Sequence, residues 1–147
     1  MSDLDAALNS YIAFFEGLTP ERLDELDRIC TPDVRFADPF NDLRGVAGMR
    51  AVLRRMYADV EAPSFRVTRK MRDGEVAYLR WVFTCRPHGS AKDLRIEGVS
   101  EVTFDEAGRV AAHIDFWDAA GQLYERLPVL GWILRQVRRR LSVSEGE

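Results

Sequence analysis

Carboxylates set among apolar residues are the side chains of this 147-residue sequence best placed to do chemistry. Asp38 closes the run Val34-Arg35-Phe36-Ala37-Asp38, where Val34, Phe36 and Asp38 share one side of an extended chain. A carboxylate held among such neighbours resists ionisation, and a raised pKa makes it a useful general base near neutral pH. The alternative is that Asp38 caps a turn with Pro39 or pairs with a nearby arginine. A second constellation is His113-Ile114-Asp115-Phe116-Trp117-Asp118. Its alternation puts His113, Asp115 and Trp117 on one face and Ile114, Phe116 and Asp118 on the other. If Asp38 and Asp115 shared an apolar pocket, one would stay charged and the other protonated. Asp115 could instead pair with an arginine such as Arg80. His113, Asp115, Asp118 and Asp38 have no recognised metal-ligand spacing, so no metal is expected. There is no phosphate-binding glycine loop and no Gly-x-Ser-x-Gly, and neither cysteine sits in a nucleophile motif; no cofactor is implied.

The elements that must position these groups are legible as changes of period. Residues 3–18 carry Leu4, Leu8, Tyr11 and Phe15 at helical spacing. Thr19-Pro20 reads as an N-cap with proline at the first helical position, opening a second helix that buries Leu23, Leu26 and Ile29 and stops at Thr31-Pro32. After the strand 34–38, a third helix carries Met49, Val52, Leu53 and Met56. Strands follow at 65–71, 76–85, 94–104 and 110–117, and Asp73-Gly74 between the first two is a hairpin signal. Helices are expected at 119–127 and 130–141, broken at Pro128. In strand 76–85, Leu79, Trp81, Phe83 and Cys85 form an apolar face; Tyr78, Arg80, Val82 and Thr84 form a mixed one. Which face turns inward stays open at this level. Helices followed by an antiparallel run make an α+β domain whose curled sheet can enclose a pocket against the helices.

Composition bounds the function. With 46% hydrophobic and 31% charged residues the chain is an ordinary globular domain, expected to be single over residues 1–147 with a helical extension at about 119–141. Lys+Arg 21 against Asp+Glu 24 gives a net charge of −3, which argues against a nucleic-acid partner. Two cysteines and an acidic start without an apolar leader point to a reducing, cytoplasmic setting.

Residues 30–57, CTPDVRFADPFNDLRGVAGMRAVLRRMY, resemble the ketosteroid isomerase branch of the NTF2-like superfamily, in which a strand ending in Asp-Pro leads through a glycine-containing loop into a helix. The resemblance implies an NTF2-like cone, a curved antiparallel sheet wrapped around the N-terminal helices. It implies Asp38 as the catalytic base and Tyr11, in Tyr11-Ile12-Ala13, as the hydrogen-bond donor to the substrate oxygen. Aligned on Phe104 and the Ala107-Gly108 turn, Ser100 occupies the place of the isomerases' second, protonated Asp donor. Serine is a weaker donor, and loss of one oxyanion donor costs on the order of 10²–10³ in rate. Residues 113–118 also resemble the closing strand of SnoaL-like proteins, whose polyketide cyclases work with a pocket carboxylate. That likeness turns His113, Asp115 and Trp117 into the cavity. Asp38, Tyr11 and Asp115 are therefore the catalytic candidates, with Asp38 the base and Asp115 the neutral donor, or the reverse. Ser100, His113, Trp117, Phe36, Phe15 and Met56 are the expected substrate contacts.

The activity implied is cofactor-free proton transfer alpha to a carbonyl of a small apolar, steroid- or polyketide-like ligand, as in an isomerase or cyclase. The alternative is a non-catalytic module that binds a hydrophobic ligand or mediates dimerisation. Such folds often form homodimers through the sheet face left outside. The C-terminal stretch is apolar, then basic at Arg135, Arg138, Arg139 and Arg140. It reads as a helix over the pocket mouth with solvated arginines; contact with a membrane is not expected of it.

Overall fold

The computed structural model describes residues 3–123 and 128–141. In chain order it contains α1 (Asp3–Glu16), a 3-10 segment (Pro20–Glu25), α2 (Leu26–Ile29), β1 (Cys30–Ala37), β2 (Asp42–Arg44), α3 (Val46–Asp59), β3 (Val60–Asp73), β4 (Val76–Pro87), β5 (Leu94–Phe104), β6 (Val110–Phe116), α4 (Ala119–Gln122) and α5 (Pro128–Leu141). The chain divides into two compact units between Trp117 and Asp118.

The first unit is the expected α+β body. Its six strands form one sheet in the order β2-β1-β6-β5-β4-β3. Every pairing is antiparallel except β1 with β6, which run parallel. The register slips between Val67 and Arg69 of β3 and between Thr103 and Phe104 of β5, and such bulges bend and twist a strand. The curved sheet packs against α1 and α3. Leu8, Tyr11 and Phe14 of α1 join Val46, Met49 and Leu53 of α3 and Val34, Phe36, Leu79, Val102 and Phe104 of the sheet in one core.

Several boundaries differ from the sequence reading for physical reasons. Thr19 and Pro20 open a helical segment as expected, but its six residues wind as a 3-10 helix and Thr19 makes no side-chain cap. Thr31-Pro32 lie inside β1, not between elements, in the stretch where its pairing with β6 is interrupted between Cys30 and Arg35. A proline that cannot donate to the ladder is tolerated at such an irregularity. β2 spans only three residues, too few to show alternation. The Asp73-Gly74 hairpin forms as read, with Gly74 at φ 61°, the left-handed region glycine enters freely.

β4 settles the open question of facing. Ala77, Leu79, Trp81 and Cys85 are buried, while Tyr78, Arg80 and Thr84 are exposed. An ungapped alignment on the resembling family turns the mixed face inward; apolarity overrides it. Burying Leu79 and Trp81 is worth roughly 1.5–3 kcal/mol for each such side chain, whereas burying an unpaired Arg80 would cost more than that. The outward face is mixed: Tyr78 donates to Glu101 and Arg95 pairs with Glu97.

In the second unit, Asp118 caps α4 by accepting from the Gly121 N–H at 2.8 Å. The sequence reading carries this helix through Leu127, but residues 124–127 lie outside the described ones. On α5, Trp132, Ile133, Val137 and Leu141 are exposed, as are Arg135, Arg139 and Arg140. Among the described residues no helix is long and apolar enough to cross a membrane.

Trp81 pairs across the β4–β5 ladder with Gly98. A Cβ at Gly98 would lie 2.6 Å from indole Cζ2, 2.7 Å from Cη2 and 3.0 Å from the Phe116 carbonyl. The indole approaches the backbone this closely because the position has no side chain. Gly98→Ala should therefore destabilise the fold by about 1–3 kcal/mol through overpacking. The readout is a lower urea midpoint at unchanged slope; an unchanged midpoint would show that the ring has room to move.

Candidate active site

A cavity of about 50 Å³ lies between the sheet, α1 and α3. A single water needs about 10–15 Å³ on this measure, so the cavity has room for only a few water-sized groups. Phe15, Phe36, Leu53, Phe65 and Trp81 are among its apolar walls, and its polar corner is Ser100, His113 and Asp115. Among the described residues no lysine or arginine lines it.

The polar corner is built by register. Ser100 and Asp115 are direct partners across β5 and β6, and Val102 faces His113 two residues on. Ser100 Oγ donates to Asp115 Oδ1, and Trp81 Nε1 donates to Ser100 Oγ at 2.8 Å. His113 Nε2 lies 2.7 Å from the same Asp115 Oδ1, and His113 Nδ1 lies 2.7 Å from the Tyr11 hydroxyl. A single chain of bonds thus joins α1, β4, β5 and β6. The imidazole is clamped between rings, stacked on Phe36 at 5.4 Å and flanked by Phe15 at 5.4 Å. Asp115 Oδ2 accepts no hydrogen bond from the described residues.

Tyr11 and Asp115 therefore belong to one network, joined through His113. Tyr11 is only 2% exposed and does not itself line the cavity. Burial first, then the nearby Cys30 and Asp115, pushes its phenol well above the ordinary value of 10.0. Burial likewise pushes the Cys30 thiol up to about 12.

Asp38 does not converge on this cavity. Alternation would aim it with Val34 and Phe36, but β1 ends at Ala37, and Asp38 turns back on its own loop. Its Oδ1 accepts from the Phe40 N–H at 2.8 Å, the Asn41 N–H at 2.8 Å and Asn41 Nδ2 at 3.1 Å. This is the turn-capping alternative. Asp38 lies in an open groove with Pro39, Phe116, Trp117 and Asp115, so Asp115 borders both the groove and the cavity. Trp117 packs edge-on against Phe40 in that groove and does not line the cavity. Ser100, His113, Phe15 and Phe36 do line it; Met56 does not, and Leu53 on α3 takes that place. The alternative pairing of Asp115 with Arg80 is not found, because Arg80 is exposed on the other face of β4.

The sequence reading missed Trp81 as a polar participant. Its signal was Gly98, a glycine inside a strand, which marks close approach by another group. Among the described residues no cluster of three His, Cys, Asp or Glu is arranged to hold a metal.

The cone of helices under a curved sheet, with a polar corner at its apolar base, is an NTF2-like, ketosteroid isomerase-like fold. The chain belongs to the SnoaL-like domain family, whose model matches residues 11–113, from the tyrosine to the histidine of the network. Comparison with curated proteins gives no match. Among solved structures, a putative SnoaL-like polyketide cyclase from Shewanella denitrificans superposes with a TM-score of 0.68 at 19% identity, covering 84% of this chain and 98% of that one. A hypothetical protein of ketosteroid isomerase-like fold from Catenulispora acidiphila gives 0.68 at 14% identity, over 80% and 88%. An epoxide hydrolase from M. tuberculosis, described as LEH-like, gives 0.66 at 18%, over 91% and 95%. At these identities the likeness is one of fold.

Two outcomes follow from the buried network. Removing the hydroxyl in Ser100→Ala leaves the Trp81 indole N–H buried without its acceptor, which should cost about 1–3 kcal/mol in denaturant unfolding. Alkaline stability should also carry a Tyr11 signature. A phenol whose value is raised by folding keeps its proton in the native state after the unfolded chain has lost it, so native stability falls as pH rises. The fall begins near the ordinary value of 10 and continues toward the raised one. Tyr11→Phe should flatten this alkaline loss in stability measured between pH 9 and 12; an equally steep loss in the variant would assign it elsewhere.

Proposed function

We propose that the protein is a cofactor-free acid–base enzyme of the ketosteroid isomerase and SnoaL cyclase type, moving a proton alpha to the carbonyl of a compact, largely apolar substrate. The observation that supports it is the position of Asp115. Its carboxylate borders both an aromatic cavity and an open groove, one oxygen is held by Ser100 and His113, and the other has no partner among the described residues. Of the two carboxylates expected to act, Asp115 is the base in this reading, and Asp38 shapes the rim.

In the reaction, Asp115 takes the proton from the carbon alpha to the carbonyl. The electron pair of that C–H bond forms the enolate, and Asp115 returns the proton at another carbon. With the Tyr11 hydroxyl committed to His113 and the Ser100 proton to Asp115, neither expected donor is free for the enolate oxygen, so charge there is met less strongly than by two strong donors. That favours a carbon acid already activated by two carbonyls, polyketide-like in chemistry, over a simple ketone. The small resting cavity also favours a compact substrate over a steroid. The likeness in fold to a putative polyketide cyclase is consistent with this choice.

The apolar aromatic lining favours one rival, a module that binds a hydrophobic ligand and leaves it unchanged. Solvent-deuterium exchange into acetylacetone, followed by NMR, separates the two. The enzyme reading expects exchange above buffer background, reduced at least about 10³-fold in Asp115→Asn, consistent with loss of a general base, and nearly retained in Asp38→Asn. Exchange indifferent to Asp115→Asn would remove the base assignment, and binding without exchange would favour the rival.

A further inference from the structure

Hydrogen positions in the network are fixed by what each group is able to donate. The Trp81 indole N–H is a donor only, so the Ser100 oxygen must accept from it at 2.8 Å. The Ser100 proton then goes to Asp115 Oδ1. Oδ1 is therefore already an acceptor. The other group on that oxygen is His113 Nε2, at 2.7 Å. An ionised carboxylate accepts only, so Nε2 carries the proton and donates. A neutral imidazole carrying its proton on Nε2 has a bare Nδ1. The one group placed on Nδ1 among the described residues is the Tyr11 hydroxyl, at 2.7 Å, and it must donate. Two donor chains thus run toward one oxygen, from Trp81 through Ser100 and from Tyr11 through His113.

We infer that Tyr11 is a positioning residue: by donating to Nδ1 it secures, together with Asp115 on Nε2, the Nε2–H tautomer of His113, which holds Asp115 Oδ1 and leaves Oδ2 as the oxygen that meets substrate. This departs from the role that the family resemblance implies for Tyr11, contact with the substrate oxygen. The phenol is enclosed in the core, away from the cavity lining, and its edge packs against His113 and Phe15. Without Tyr11 only the Asp115 carboxylate favours the proton on Nε2, and Nδ1 loses the donor that keeps it bare. The form protonated on Nδ1 turns a lone pair, not a donor, toward Asp115. The groups facing the imidazole are then Tyr11 and Phe15 from α1, Phe36 from β1 and Asp115 from β6; of these, Asp115 on Nε2 and Tyr11 on Nδ1 bias the choice between its nitrogens.

The inference rests on the reading of Asp115 as base, but its test needs no substrate. Long-range ¹H–¹⁵N correlation on the ¹⁵N-labelled full chain at neutral pH reads the His113 ring nitrogens directly. The wild type should show one protonated Nε2 and one bare Nδ1. Tyr11→Phe, which removes only the hydroxyl, should draw the two nitrogen shifts partly toward each other as the Nδ1–H tautomer gains population against the bias of Asp115. Leu8→Ala, which loosens the same buried face of α1 one turn away, should leave them apart. A wild-type imidazole protonated on Nδ1 or on both nitrogens would overturn the inference. So would unchanged shifts in Tyr11→Phe, or equal averaging in Leu8→Ala. A failed exchange assay with these shifts as expected would count against the base assignment alone. Averaged wild-type shifts with intact exchange would count against the role of Tyr11 alone.

Discussion

A carboxylate set against an aromatic cavity with no cationic side chain on its walls among the described residues is the constraint on which this molecule turns. Such a group is costly unless donors meet it, because the interior supplies little of the solvation that water did. The donors come from separate places: Ser100 from the neighbouring strand, His113 two residues back on its own strand. Each donor needs its own support, Trp81 from β4 and Tyr11 from α1. Sheet register is thereby tied to the site. Ser100 and Asp115 face each other directly, and a slip of one residue would send either to the outer surface. Trp81 reaches Ser100 diagonally from its place opposite Gly98, and that reach exists because Gly98 leaves the backbone bare.

What the sequence disclosed was local. The stripe of Leu8 and Tyr11 on α1, the hairpin at Asp73-Gly74 and the alternation that turns His113 inward with Asp115 are periodicities, and periodicity survives folding when one face is buried. Partners are a different matter. Spacing placed Tyr11 on the inward face but could not say that a histidine 102 residues later would take its hydroxyl. Asp38 shows the limit of alternation itself. The rule of successive faces holds only while the strand continues, and β1 stops one residue short, where Pro39 follows and three local N–H groups capture the carboxylate. The parallel pairing of β1 with β6 was likewise beyond local pattern, since nothing in either strand records its distant neighbour.

The same contrast separates the two aspartates chemically. Asp38 has one oxygen saturated by its own loop, which is a structural use of a carboxylate: it fixes the turn after β1. Asp115 has one oxygen saturated by side chains, Ser100 from the neighbouring strand and His113 from its own, which fixes the carboxylate and not the loop. Resemblance to a family carries over a residue's identity and its place in the chain order. It does not carry over which of these two uses the surrounding chain makes of it.

The network is also a poor way to hold a fold together. A typical neutral hydrogen bond contributes about 0.5–1.5 kcal/mol net, while a buried apolar side chain of similar size contributes roughly 1.5–3 kcal/mol with no partner required. Ser100 and His113 are 2% and 4% exposed, so aliphatic residues at those two positions would extend the existing wall of Phe36, Leu79 and Trp81. Sheets of this curvature have no need of a polar corner, and buried polar groups replaced together by well-packed apolar ones often leave a protein at least as stable. A chain that spends four elements on orienting one carboxylate oxygen therefore gives up stability at that spot. Such a departure from local optimality is expected where a site, and not the core, sets the requirement.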